Sequence, residues 1–188
     1  YYLKAAGCFS ICMSIEHGDS RIRNLMLRRR VTNNQLENAF SIFKKYRINV
    51  YANTMLALPF TSLNDDINSV DFVIKVKPQM PNFSIYMPYP GTELGDFCKQ
   101  SGIYDDTSED ITFGMRNMSP LSCFSDKERK AQYNLCQLAI LAIKFPRLRN
   151  LVVNKLIYYR PNRIYFLIHY FLAIISYGKK IFYFKHSF

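Results

Sequence analysis

Glu16 closes an alternating apolar run and is followed at once by His17 and Gly18. Phe9, Ile11, Met13 and Ile15 alternate with Ser10, Cys12 and Ser14, the period of a β-strand. A carboxylate at the carboxyl end of a strand sits where α/β folds bind ligands, although it can also cap the next helix. A dozen residues on stand Arg28, Arg29 and Arg30. A guanidinium grips a carboxylate with a two-pronged fork and keeps its charge, and a cationic cluster also complements a helix carboxyl terminus. Asn53, inside a second apolar run, brings an amide that needs hydrogen-bonding partners with or without a ligand. His17 adjoins Glu16 too closely for the two to share a metal on a strand and is expected in a loop. Cys8 and Cys12 have the spacing of two cluster ligands, but Ile15 stands where a third would follow. They are read as buried thiols. Five cysteines in all, with scattered spacings, point to a reduced setting rather than a disulfide framework, and no zinc pattern is present.

These residues need elements to position them. After the first strand, "DSRIRNLMLRR" reads as a short helix with Ile22, Leu25 and Met26 on one face. "TNNQLENAFSIFKKY" is a helix opened by a Thr32–Gln35 capping box, with Leu36, Ala39, Phe40 and Phe43 as its stripe. "INVYANTMLALP" is a second strand, and "SLNDDINSVDFVIKVKP" a helix capped by Ser62 that buries Leu63, Ile67, Val70 and Ile74. "FSIYMPYPGT" is a third strand ending in a Pro-x-Pro-Gly turn, and "ELGDFCKQSG" a third crossover helix. Strand starts near residues 9, 48 and 83 are spaced as βα units, which predicts a parallel sheet or part of an α/β barrel. From Thr107 to Phe124 the pattern dissolves into a polar connection. Helix returns with a Ser125–Glu128 capping box and a stripe of Ala131, Leu135, Leu138, Ala142 and Phe145, and Pro146 and Pro161 break the rest into further helices. The expected divisions are 1–106, the α/β part, 107–124, the connection, and 125–188, a basic, aromatic helical extension.

The net charge of +11 belongs to this extension, because from Arg129 onward there are 11 basic residues and no acidic one. The last apolar run, about 14 residues, is short for a bilayer span of about 20. The chain opens Tyr-Tyr-Leu-Lys-Ala-Ala-Gly-Cys, without an initiator Met or a signal-peptide pattern, and is expected to be a piece of a longer protein.

Three stretches, "SIEHGDSRIRNLMLRR", "NTMLALPFTSLNDD" and "FSIYMPYPGTEL", in this order and spacing resemble the later half of a radical SAM enzyme barrel, within that family the cobalamin-binding branch. There the corresponding segments look like an Ile-Glu-Ser-Gly strand end, an Ile-Gly-Leu-Pro strand end and a Pro-Tyr-Pro-Gly-Thr-Glu-Leu turn. The likeness runs from about Leu3 to Gly102. It implies a partial parallel (β/α) barrel of about three units followed by an all-helical extension. By the same resemblance Glu16 would face the ribose or amino-acid part of S-adenosylmethionine and Arg28 would pair with its carboxylate. Asn53 would meet the ribose hydroxyls, and the backbone near Met55 the adenine edge. Ala57 stands where the family usually has Gly, and Phe60 and Thr61 replace a common Gly-Glu.

The resemblance also implies a [4Fe-4S] cluster held by a Cys-x-x-x-Cys-x-x-Cys loop, which this chain lacks and which would lie upstream of Tyr1, as would any cobalamin domain. The complete enzyme would cleave S-adenosylmethionine reductively and start a radical reaction such as methylation or rearrangement, drawing on a reductant and on a substrate that the sequence leaves open. This chain alone is expected to be inactive, and cytoplasmic with a peripheral, weak and salt-sensitive contact of its basic tail with a membrane surface. The rival expectation is a non-catalytic scaffold whose basic tail binds an anionic membrane surface or, less in keeping with its composition, nucleic acid. Geometrically, Glu16, Asn53 and the Pro88–Gly91 turn are expected at one edge of a parallel sheet, within reach of Arg28.

Overall fold

The computed structural model describes residues 1–105 and 117–182, apart from the side chain of Lys179. Residues 106–116, most of the expected connection, and 183–188, the end of the tail, lie outside them. Among the described residues the chain runs α1 (Tyr2–Ala5), β1 (Ser10–Glu16), α2 (Ser20–Leu27), α3 (Asn33–Lys45), β2 (Asn49–Leu56), α4 (Leu63–Val76), β3 (Met80–Ile85), α5 (Glu93–Gln100), α6 (Asp126–Lys144), α7 (Arg149–Asn154) and α8 (Arg163–Lys180). The three strands form a parallel sheet in the order β1-β2-β3, with Ser14 opposite Asn53 and Asn53 opposite Asn82. The fold is thus mixed α/β with a helical carboxyl-terminal part, and the described strands do not close into a barrel.

Alternation along the strands decides which face is covered. Ile15, Val50, Ala52, Leu56, Phe83 and Ile85 point into a core shared with Leu36, Phe40, Val70, Val73, Leu135 and Leu138. The other face carries Cys12, Ser14, Asn53, Met55, Asn82 and Ser84, exposed or half-buried. Cys12, expected to be buried, is exposed because its side of β1 is the open side. Helix α6 is the central support, with buried residues around most of its circumference. Its length follows from a Ser125–Glu128 capping box at one end and Pro146 just beyond the other. Reciprocal boxes also open α3 (Thr32 with Gln35) and α4 (Ser62 with Asp65), each a stabilisation of about 1 kcal/mol.

Four expectations about burial and boundaries are corrected. The third strand begins at Met80, three residues before the expected start. In α2 the buried side chain is Arg23, while Leu25 is 78% exposed. In α4 the buried arc centres on Asp66, Ser69, Val70 and Val73, leaving Leu63, Ile67 and Ile74 half-buried. Phe145, assigned to the α6 stripe, is exposed where the helix stops.

Close approach of backbone explains Gly18. It lies against α4, and a Cβ built there would fall 2.5 Å from the Ser69 Cα. Gly18→Ala should therefore destabilise the fold by about 2 kcal/mol and lower the melting temperature by roughly 5 °C. Thermal denaturation followed by circular dichroism checks this, and an unchanged midpoint would mean the loop is not held against α4.

Candidate functional site

Because the sheet is parallel, Glu16, the Leu56–Phe60 segment and the Pro88–Gly91 turn all emerge at its carboxyl edge. The Glu16–Thr54 and Ser14–Asn53 pairs, separated by a bulge in β1, put Glu16 and Asn53 at the same end. Arg28 reaches the third of these loops, its Nη1 donating to Glu93 Oε1 over 2.7 Å. Glu16, Asn53 and the turn thus share one end of the sheet, and Arg28 contacts the residue that opens the helix after that turn.

The first loop is clamped by a residue the sequence reading did not single out. The buried Arg23 donates to the His17 carbonyl (2.6 Å), the Val31 carbonyl (2.6 Å from Nη2) and Asn33 Oδ1 (2.9 Å). Burial lowers its pKa, against the opposing pull of Asp19 and Glu16. Three acceptors compensate for taking a guanidinium out of water. Asn33 also donates to the Gly18 carbonyl, so both ends of the segment from His17 to Asn33 are tied to one another. His17, in the loop as expected, is fully buried: its Nδ1 accepts from the Asp19 amide, and desolvation pushes its pKa down.

Glu16 is almost buried, and Arg29 is the arginine beside it, with Nη2 2.5 Å from Oε1. Arg28 instead holds Glu93 in a largely exposed pair, worth about 0–1 kcal/mol. The cluster thus divides its work: Arg29 neutralises the strand-end carboxylate, and Arg28 links the first and third loops.

The second loop rests on a buried carboxylate. Asp66, fully buried on α4, accepts from the Ala57 amide through Oδ1 and from Gln132 Nε2 of α6 through Oδ2, each over 3.0 Å. Desolvation raises its pKa to about 7, against the pull of these two hydrogen bonds. Its neighbour Ser69 accepts from the Gly18 amide (2.9 Å), so one ridge of α4 holds the first two strand-end loops. The loops are bent sharply: Glu16 (φ 64°), Ala57 (φ 57°) and Phe60 (φ 57°) all take the left-handed conformation. That conformation costs an L-residue about 1–2 kcal/mol. Strain of this kind gathers at functional sites and is held in place by surrounding structure, here Asp66 and the Arg29 pair.

On the open face just below the edge runs a polar row. Asn82 Nδ2 donates to Asn53 Oδ1 (3.0 Å), and Asn53 Nδ2 lies 3.4 Å from Cys12 Sγ. Met55 stands on the same face with Ser84 as its partner, one residue beyond the end of the β1–β2 ladder. A cavity of about 120 Å³ between Ser14, Glu16, Arg23 and Arg29 opens here. It is smaller than the roughly 300 Å³ of ordinary ligand pockets, so it accommodates one end of a molecule at most. A larger cavity of about 490 Å³, lined by Glu37, Lys44, Lys75 and Lys77, lies at the amino edge, away from the strand ends where α/β folds place ligands.

The donor set suits hydroxyls and a carboxylate: two amides in a row, a strand-end glutamate and two arginines. It does not suit a cluster, because among the described residues no three His, Cys, Asp or Glu side chains converge. No family model matches the chain, and no curated protein matches it.

The Asp66 carboxyl makes the fold pH-sensitive in a defined direction. Its folded-state pKa is raised above the unfolded value, so folding favours the protonated form and this group's effect grows unfavourable as pH rises from about 4 to 7. In Asp66→Asn the amide oxygen can keep the Ala57 bond, and a rotated Gln132, whose Oε1 is otherwise unpartnered among the described residues, can accept from the new amide. Buried His17, with its lowered pKa, works in the opposite sense and is common to both proteins. The stability of the wild type relative to Asp66→Asn should therefore fall between about pH 4 and 7 in urea titrations and level off above that; a difference independent of pH would contradict the buried, titrating carboxyl.

Proposed function

We propose that residues 1–105 form the later half of a radical SAM barrel, of the cobalamin-binding type, and that the carboxyl edge is its share of the S-adenosylmethionine site. The observation that carries this reading is the backbone at the motif glycines. Ala57 and Phe60 replace glycines of the resembling motif, and both take the left-handed conformation that glycine adopts without strain. Of the motif glycines the chain retains, Gly18 leaves no room for a side chain and Gly91 itself takes a positive φ of 76°. The local geometry that the motif's glycines suit is thus present even where the glycines are not.

In this reading Asn53, supported by Asn82, hydrogen-bonds the ribose, and Glu16 faces the ribose or amino-acid part while Arg29 holds its orientation. Arg28 gives up its Glu93 pair to bind the carboxylate of the methionine part, and the backbone near Met55 meets adenine. By the same resemblance, the iron–sulfur ligands and any cobalamin domain belong to sequence preceding Tyr1. When bound in the complete enzyme, the cluster supplies the electron for reductive cleavage of S-adenosylmethionine. Substrate and reductant are contributed from outside these residues.

Expression together with the coding sequence that precedes Tyr1, followed by anaerobic reconstitution, tests this. The longer protein should hold a stoichiometric cluster and release 5′-deoxyadenosine, and Asn53→Ala should weaken S-adenosylmethionine binding about tenfold, or roughly 1.4 kcal/mol. The 188-residue chain alone should do neither. A preceding sequence without a cluster loop, or cleavage by this chain alone, would overturn the proposal.

A further inference from the structure

Helix α8 is built inside out. Toward α6 and the sheet it buries Tyr165, His169 and Ser176, while Ile164 (65% exposed), Leu167 (60%), Phe171 (65%) and Ile174 (52%) face outward. Their spacing of three, four and three residues makes one continuous stripe along the helix. Tyr170 and Ile175 widen it. Burial of apolar surface should have turned this side inward had water been the only surroundings. The inward side is committed by its polar contacts: Tyr165 donates to the Leu156 carbonyl, and His169 Nδ1 lies 3.3 Å from the Gln137 carbonyl.

Charge decides what covers the stripe. Exposed Arg160 and Arg163 stand at the start of the helix, exposed Lys180 at its end, and the sequence from Arg129 to Phe188 holds no acidic residue. Pairing with a second copy would set cation against cation at the helix ends, whether the helices ran parallel or antiparallel. A continuous apolar stripe is a poor match for nucleic acid, whose binding rests largely on hydrogen bonds and charge contacts to phosphates and base edges. A surface that is apolar beneath an anionic layer matches both features. Exposed Tyr158 and Tyr159, just before the helix, are residues that favour such an interface. No helix among the described residues is long and apolar enough to cross a membrane, which leaves a helix lying in the plane of the surface.

We propose that α8 docks on an anionic phospholipid surface, with Ile164, Leu167, Phe171 and Ile174 entering the acyl boundary and Arg160, Arg163 and Lys180 meeting the headgroups. The inference stands independently of the reading of the carboxyl edge. Flotation of the full 188-residue chain with phosphatidylcholine vesicles, with and without about 30% phosphatidylserine and at about 0.1 and 0.5 M salt, tests it. Binding should be about tenfold stronger to the anionic vesicles and should drop several-fold at high salt. Leu167→Glu with Ile174→Glu should abolish it, the fold being checked by circular dichroism. If that variant does not fold, Arg160→Gln with Arg163→Gln, which leaves the stripe intact, should still reduce binding to the anionic vesicles several-fold. Equal recovery with both vesicle types at both salt concentrations would overturn the proposal. So would a dimer in sedimentation that Leu167→Glu dissociates while the wild type stays off the vesicles.

Discussion

The carboxyl edge of the sheet depends on one ridge of α4. Asp66 takes the Ala57 amide and the Gln132 amide, and Ser69, one turn on, takes the Gly18 amide. Burying a carboxylate is expensive in isolation, and the cost is offset here by two hydrogen bonds and by protonation in the neutral range. The consequence is mechanical. Two strand-end loops, each containing left-handed non-glycine residues, are fastened to the same helix, and that helix is fastened to α6. Displacing α6 would therefore disturb the edge even though α6 contributes no side chain to it.

The same open face is treated differently at its two ends. Near its amino end the last turns of α8 close over it: Tyr51 meets Tyr177 edge to face at 5.6 Å, and Ser10 donates to the Ile181 carbonyl over 2.7 Å. Near its carboxyl end the Ser14–Asn53–Asn82 row stays accessible. A sheet covered at one end and polar and open at the other has a single direction from which a ligand can approach its strand ends.

Elements were legible in the sequence where apolar periodicity and capping residues agreed. The three strands, the capping boxes of α3 and α6, and the breaks at Pro146 and Pro161 all follow from local pattern. What escaped was polar burial. Arg23, Asp66 and Gln132 stand beside the apolar stripes of their helices rather than in them, and nothing local distinguishes a buried hydrogen-bonding residue from an exposed one. Asp66 and Gln132 meet across 66 residues, and Arg23 meets His17, Val31 and Asn33 once the segment between them has folded back, so the burial exists only once the fold does. Glu16 and Asn53 could be placed toward one edge because they end a strand or lie within one. Which arginine neutralises Glu16 depended on the left-handed turn at Arg28, which redirects the chain and brings Arg29 to the carboxylate.

The central claim is that the open carboxyl half of the sheet is part of a nucleoside-binding surface. Side-chain amide resonances of Asn53 and Asn82, followed by nuclear magnetic resonance while S-adenosylmethionine is added to the 188-residue chain, measure it most directly. Half a site should bind at about millimolar strength, or roughly −4 kcal/mol, with shifts confined to this pair, the Glu16–Gly18 loop and the Ala57–Phe60 loop. Resonances that stay still into the millimolar range, or that move instead around Lys44, Lys75 and Lys77, would contradict the account.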